Sequence, residues 1–142
     1  MGNDATALIP IRHSKPIGRY SPGIAVGVPA GTRLVFVSGQ VATDDGGTVL
    51  RPDDAGGQAA IVFDRIAEVL QRAGATVADL VSLVIYLVDV RRDFTAVSAV
   101  RNTVLGDPSP ASTLVEVSRL AEPGCLVEIS AVAVALAPDR QP

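Results

Sequence analysis

The chain has 142 residues, a net charge of −3, one cysteine and 48% hydrophobic residues. That length carries one domain with a real core, and the charge excludes a basic footprint for nucleic acid. Cys125 alone excludes an intrachain disulfide and fits a reducing compartment.

The mean hydropathy is +0.37, high for a soluble monomer of this size, which points to oligomerisation. Aromatics are only 4%, so the core is built from Val, Ile, Leu and Ala. No apolar run is long enough to span a bilayer. Residues 1–8 lack the charged and apolar regions of a signal peptide, so a cytoplasmic location is expected.

Residues 1–14 read as a terminal segment, loose over 1–7, with a possible short edge strand over Leu8–Ile11. Residues 15–137 read as a single domain and 138–142 as a tail. Lys15–Gly18 is a turn region. Ile24–Val28 alternates like a strand, Pro29–Thr32 reads as a hairpin loop, and Leu34–Val37 is a second strand ending in Ser38-Gly39-Gln40. Thr43–Gly47 is a polar loop.

A helix follows, capped by Asp53 or Asp54, with Gln58 placed to reach back to the cap. Ala59, Val62, Phe63, Ile66, Val69, Leu70 and Ala73 recur at helical spacing and form its apolar face. Glu68 and Arg72 form a favourable i,i+4 pair, and Gly74 ends the helix. Leu80–Val88 is almost continuously apolar and suits a strand buried on both faces. A second helix is expected over Asp93–Leu105, with Asp93 as cap, Phe94, Val97, Val100, Val104 and Leu105 facing inward, and Gly106 and Pro108 ending it. Pro110–Ala135 then reads as two strands joined by a turn at Ala121–Gly124. The fold class is α+β, a mixed sheet with two helices on one face.

Few residues offer chemistry. His13 and Cys125 cannot build a zinc cluster. His13 reads as an ordinary near-surface histidine, and Cys125 as a small buried hydrophobe rather than a nucleophile. No phosphate-binding glycine loop is present. Tyr20 is either a packed ring or a pocket wall. Glu128 stands out because it lies mid-strand in an apolar sequence, sharing a face with Leu126 and Ser130. An isolated carboxylate is costly to bury, so two readings stand open. It is a structural carboxylate held by N–H groups or an arginine at an interface, or a general acid/base that positions water.

Four short motifs resolve the family. Gly18-Arg19-Tyr20-Ser21-Pro22 resembles a G-P-Y-S element, and Phe36-Val37-Ser38-Gly39-Gln40 a strand ending in S-G-Q. Pro110-Ala111-Ser112, then Val115-Glu116-Val117, Leu120 and Val127-Glu128-Ile129, resemble a C-terminal signature of P-x-R, V-x-V, L and V/I-E-I. In this order they resemble the YjgF/RidA family of imine deaminases, also known as L-PSP endoribonucleases, over residues 15–135.

The resemblance implies a chorismate-mutase-like fold and a homotrimer with three clefts between subunits. It implies hydrolysis of enamines and imines to carbonyl products and ammonia, with no metal or organic cofactor. Glu128 would position or activate water, and Tyr20, Ser38 and Gly39 would line the cleft. Three cleft positions depart from the family pattern. Ser112 stands where an arginine grips the substrate carboxylate, Ser98 where an asparagine is expected, and Leu114 where a cysteine is expected. Losing that bidentate contact removes on the order of 1.5–3 kcal/mol of binding. Arg19 and Arg101 are the candidate substitute cations, weighed against a reading of both as solvated surface charges.

Three functions follow in order: an imine or enamine deaminase with altered substrate preference, a trimeric small-metabolite-binding protein without turnover, and a ribonuclease. The ribonuclease is disfavoured by the charge and the single Lys15. The expected ligand is an imine, an enamine or a keto-acid-like molecule, with no nucleic acid and no membrane as partner.

Overall fold

A computed structural model describes residues 4–12, 14 and 17–137. Its elements are β1 (Ala5–Leu8), β2 (Gly23–Val26), β3 (Arg33–Gln40), α1 (Ala55–Arg72), a single 3₁₀ turn (Val77–Asp79), β4 (Leu80–Leu87), α2 (Val90–Val104), β5 (Ala111–Glu116) and β6 (Val127–Ala135). The main sheet has the order β3-β6-β4-β5, and β1 and β2 form a separate antiparallel pair. Both helices cover one face of the mixed sheet, as the sequence implies.

The β4–α2–β5 segment is a parallel crossover unit, with Ser82 opposite Ala111 and Leu87 opposite Glu116. β6 pairs antiparallel with both β3 and β4. The last two strands are therefore not neighbours: β4 lies between them. The expected turn at Ala121–Gly124 is part of a longer connection that carries the chain across β4. Nor does Pro29–Thr32 close a hairpin. Its turn forms, with Thr32 N donating to Pro29 O at 3.1 Å, but it links β2 of one sheet to β3 of the other. The N-terminal strand lies earlier than expected, because Ala5–Leu8 is the stretch in register with Gly23–Val26; Pro10 lacks the N–H to extend the ladder.

α1 is capped by Asp54, whose Oδ1 accepts from Gly57 N at 2.8 Å. Its end follows the expected mechanism: Gly74 takes φ +73°, a left-handed turn that favours glycine. Val62, Phe63, Ile66 and Leu70 are buried on the sheet. Val69 is 37% exposed, at the edge of the apolar stripe, and Ala73 is only half-buried at the cap. The Glu68–Arg72 pair is not among the ion pairs of the described residues.

Gln58 does not return to the cap. It is fully buried, donating from Nε2 to Arg51 O at 3.3 Å and Gly124 O at 3.2 Å while Oε1 accepts from Leu126 N at 2.8 Å. One side chain thus satisfies three backbone groups where the chain enters β6. Replacing it with alanine strips those partners and leaves a cavity, an expected loss of about 2–4 kcal/mol. A urea midpoint unchanged from wild type contradicts this.

α2 starts three residues earlier than expected. Asp89, not Asp93, is its cap, accepting from Arg92 N at 3.0 Å. Asp93 is buried instead and held by Arg92 through Nε at 2.8 Å and Nη2 at 2.7 Å. Val97 and Leu105 are buried as expected, whereas Phe94, Val100 and Val104 are half-buried. The fully buried positions of the helix also include Ser98 and Arg101, an unusual polar content for a core-facing stripe.

β4 is buried on one face only. Leu83, Ile85 and Leu87 meet the helices, while Ser82, Val84 and Tyr86 on the other face are half-buried. Among the described residues no element covers that second face. Phe36 is 72% exposed and Leu34 53% exposed at its β3 edge.

Candidate functional site

The residues singled out from the sequence fall into two groups on opposite faces of the sheet. The first lies on the open face. Between Val37 and Gln40 the register with β6 slips by one residue, a bulge that re-aims the strand at Ser38-Gly39. The bulge sets Gly39 directly against Glu128. A Cβ built on Gly39 would lie 2.0 Å from Glu128 Oε1 and 2.8 Å from its Cδ. The carboxylate therefore occupies space that only glycine leaves free. Glu128 pairs with Tyr86 across β6–β4, and both line a cavity of about 330 Å³ with Gly39, Ser130, Arg119 and Leu120. No ion pair among the described residues involves Glu128. Ser38 is exposed beside this cavity, on the same open face.

The second group lies on the helical side, at the β5 edge. In the parallel register Ser112 stands beside Leu83 and Leu114 beside Ile85. Cross-strand partners share a face, so both side chains point towards the helix layer. Leu114 packs against the hydrophobic core. Ser112 Oγ is buried with no hydrogen-bond partner, and so is Ser98 Oγ on α2. Arg101, one helical turn after Ser98, is only 3% exposed, and its Nε and Nη2 are buried without partners.

The Tyr20 segment is stitched into this corner. Arg19 N donates to Asn102 Oδ1 at 2.9 Å, Ser21 N to Pro110 O at 3.1 Å, and Ser21 Oγ to Ser109 O at 2.5 Å. The clamp lays the Tyr20 ring against the guanidinium, with Arg101 Cζ 5.9 Å from the ring centroid, within cation–π range. A Cβ on Gly18 would come within 1.8 Å of Arg101 Nη2. Gly18 thus makes room for the guanidinium as Gly39 does for the carboxylate. Burial pushes the Arg101 pKa below the ordinary arginine value, and Tyr20 opposes the shift.

The two candidate cations separate clearly. The Arg19 side chain is exposed in the chain, whereas Arg101 is buried, so the surface-charge reading fails for Arg101. Sequence reasoning placed Arg101 near Ser98 but missed that both are buried without hydrogen-bond partners, as is the Ser112 hydroxyl. The signal was present: Ser98 and Arg101 are three apart and flank Val97 on the apolar stripe of α2.

Cys125 is buried, and desolvation raises its thiol pKa, in keeping with a packing role. His13 lies outside the described residues. Among the described residues no group of three or more His, Cys, Asp or Glu is placed to hold a metal, and no helix is long and apolar enough to cross a membrane.

Within one chain the groups cannot form one site. β5 and β6 are two strand spacings apart, about 10 Å, and the side chains project from opposite faces. Fold and site together define a class: a small α+β protein with a carboxylate over a glycine on the open sheet face and a buried guanidinium on the helical side. The family model for Endoribonuclease L-PSP matches residues 11–135, and the chain belongs to this family, the YjgF/RidA proteins. It is 36% identical to a RutC family protein of Pyrococcus abyssi over 119 residues, 84% of this chain and 88% of that protein. Among solved structures, the Rid-family protein YyfB of Yersinia pestis superposes with a TM-score of 0.81 at 28% identity, covering 93% of this chain and 98% of that one. RidA of an Antarctic Psychrobacter gives a TM-score of 0.63 at 32% identity, over 84% and 90%.

Proposed function

We propose that the protein hydrolyses reactive imines or enamines to carbonyl compounds and ammonia, as a homotrimer with its sites between subunits. The observation that carries this reading is the Glu128 carboxylate seated over Gly39 in an open cavity. It is half-buried and forms no ion pair among the described residues, so it is free to act on a water molecule.

The chemistry needs little more. Glu128 accepts a proton from water as the oxygen attacks the imine carbon, giving a carbinolamine. The same carboxyl returns that proton to nitrogen, then takes the carbinolamine hydroxyl proton and passes it to nitrogen as the C–N bond breaks, leaving a carbonyl and releasing ammonia. General acid–base assistance of this kind is worth about 10²- to 10⁴-fold. The exposed apolar face that carries Phe36 and Leu34 supports the assembly, because a partner seated on it would remove that apolar surface from water. A trimer also brings the Glu128 face of one copy within reach of the Tyr20–Ser112 corner of the next.

The test generates 2-iminopropionate in situ with an amino-acid oxidase and follows its loss spectrophotometrically with and without the protein. Faster loss, with pyruvate and ammonia appearing together, is expected. Wild-type protein that leaves the rate unchanged for this imine and for bulkier ones overturns the proposal and favours a binding protein.

A further inference from the structure

We infer that Arg101, on helix α2, supplies the anion-binding guanidinium of this protein's site, taking over from strand β5 the role that Ser112 cannot fill. The inference rests on the proposed imine-processing site but is separable from it, because it concerns binding rather than turnover.

Four observations converge on one corner. Arg101 is a nine-tenths-buried cation, and no carboxylate among the described residues pairs with it. Its Nε and Nη2, two donors of the planar fork that matches a carboxylate, have no acceptor. The hydroxyls of Ser98 on α2 and of Ser112, which shares the helix-facing side of the sheet with Leu83, are likewise buried without partners. Both can donate to an oxyanion. Finally, two features serve to hold the guanidinium in place. Gly18 leaves the space that Nη2 occupies, and the Tyr20 ring flanks it.

A purely structural arginine would be satisfied by backbone carbonyls or an acidic side chain. This one is packed, oriented and left with its donors open. The chemistry that completes it is a small planar oxyanion, the carboxylate of a 2-oxo or 2-imino acid. Ser112 fits the same design, since a second long cation at that position would compete for the space and repel the first. The substrate carboxylate is thus read from the helix.

The experiment compares calorimetric binding of pyruvate with that of pyruvamide, its neutral analogue, to the wild-type protein. Saturable pyruvate binding at least 10-fold tighter than pyruvamide is expected. Equal binding of the two, or none of pyruvate, overturns the inference. Arg101→Met should lose that preference. Gly18→Ala guards against a folding defect, since it keeps the charge but pushes a methyl into the guanidinium; it too should weaken pyruvate at least 10-fold, about 1.4 kcal/mol. Unaltered pyruvate affinity in a folded Gly18→Ala or Arg101→Met protein overturns the inference. Glu128→Ala separates the two proposals: it should abolish imine hydrolysis while retaining the pyruvate preference.

Discussion

Replacing Glu128 with glutamine should lower the rate of imine hydrolysis by about 10²- to 10⁴-fold, equivalent to roughly 2.7–5.4 kcal/mol of barrier, with little change in stability. The side chain keeps its size and its place over Gly39 but loses the basicity that takes a proton from water. Gly39→Ala should produce a comparable loss by another route. Gly39 is not in the left-handed region, so its backbone tolerates alanine. The whole conflict is with Glu128, at 2.0 Å from Oε1 and 3.0 Å from Cγ. The carboxylate must swing away from the cavity. Because both changes act through one group, the double variant should be no slower than Glu128→Gln alone, far from the sum of the two effects. Steady-state kinetics of the four proteins checks this. Additive losses would mean that Gly39 matters for some reason other than housing the carboxylate.

How much of this was legible beforehand depends on whether a feature is local. Helix α1 was read almost to the residue, because its cap, apolar stripe and terminal glycine are all set by near neighbours. Glu128 stood out because a carboxylate within Val127–Ala135 breaks an otherwise apolar strand. The motifs fixed the family, and with it the fold, before any coordinates. What escaped was long-range. The pairing of β5 with β4 rather than β6 is not written in either strand; the sign was the helix between β4 and β5, which permits a parallel crossover that a short turn cannot make. Gln58 looked like a capping residue because its true partners, Gly124 and Leu126, lie far along the chain. Asp93 looked like a cap for a similar reason, since its burial follows from α2 starting at Asp89. The two-sided burial expected of β4 rests on a run of apolar residues, and in the chain only one face is covered, with Val84 and Tyr86 half-buried on the other. Arg101 was noticed as a charge near Ser98, but periodicity does not reveal that its donors stay open.

The strongest test of the arginine's relocation is to move it back. Ser112→Arg alone should destabilise the protein by about 1–3 kcal/mol, because a long cation enters a layer that already holds Arg101, adding overpacking and like-charge repulsion. Arg101→Ser alone should fold but lose the preference for a carboxylate over its neutral amide. The double variant, Ser112→Arg with Arg101→Ser, conserves the charge and the side-chain volume of the corner while returning the guanidinium to the strand position typical of the family. It should recover both stability and pyruvate selectivity relative to the single changes, with a coupling of about 0.5–3 kcal/mol. Chemical denaturation and pyruvate titration of all four proteins measure the two halves of that coupling. If the single effects simply add, the two positions do not share a pocket and the helix has not taken over the strand's task. If they cancel, the fork can be carried by either element, since the corner fixes where the guanidinium sits rather than which backbone delivers it.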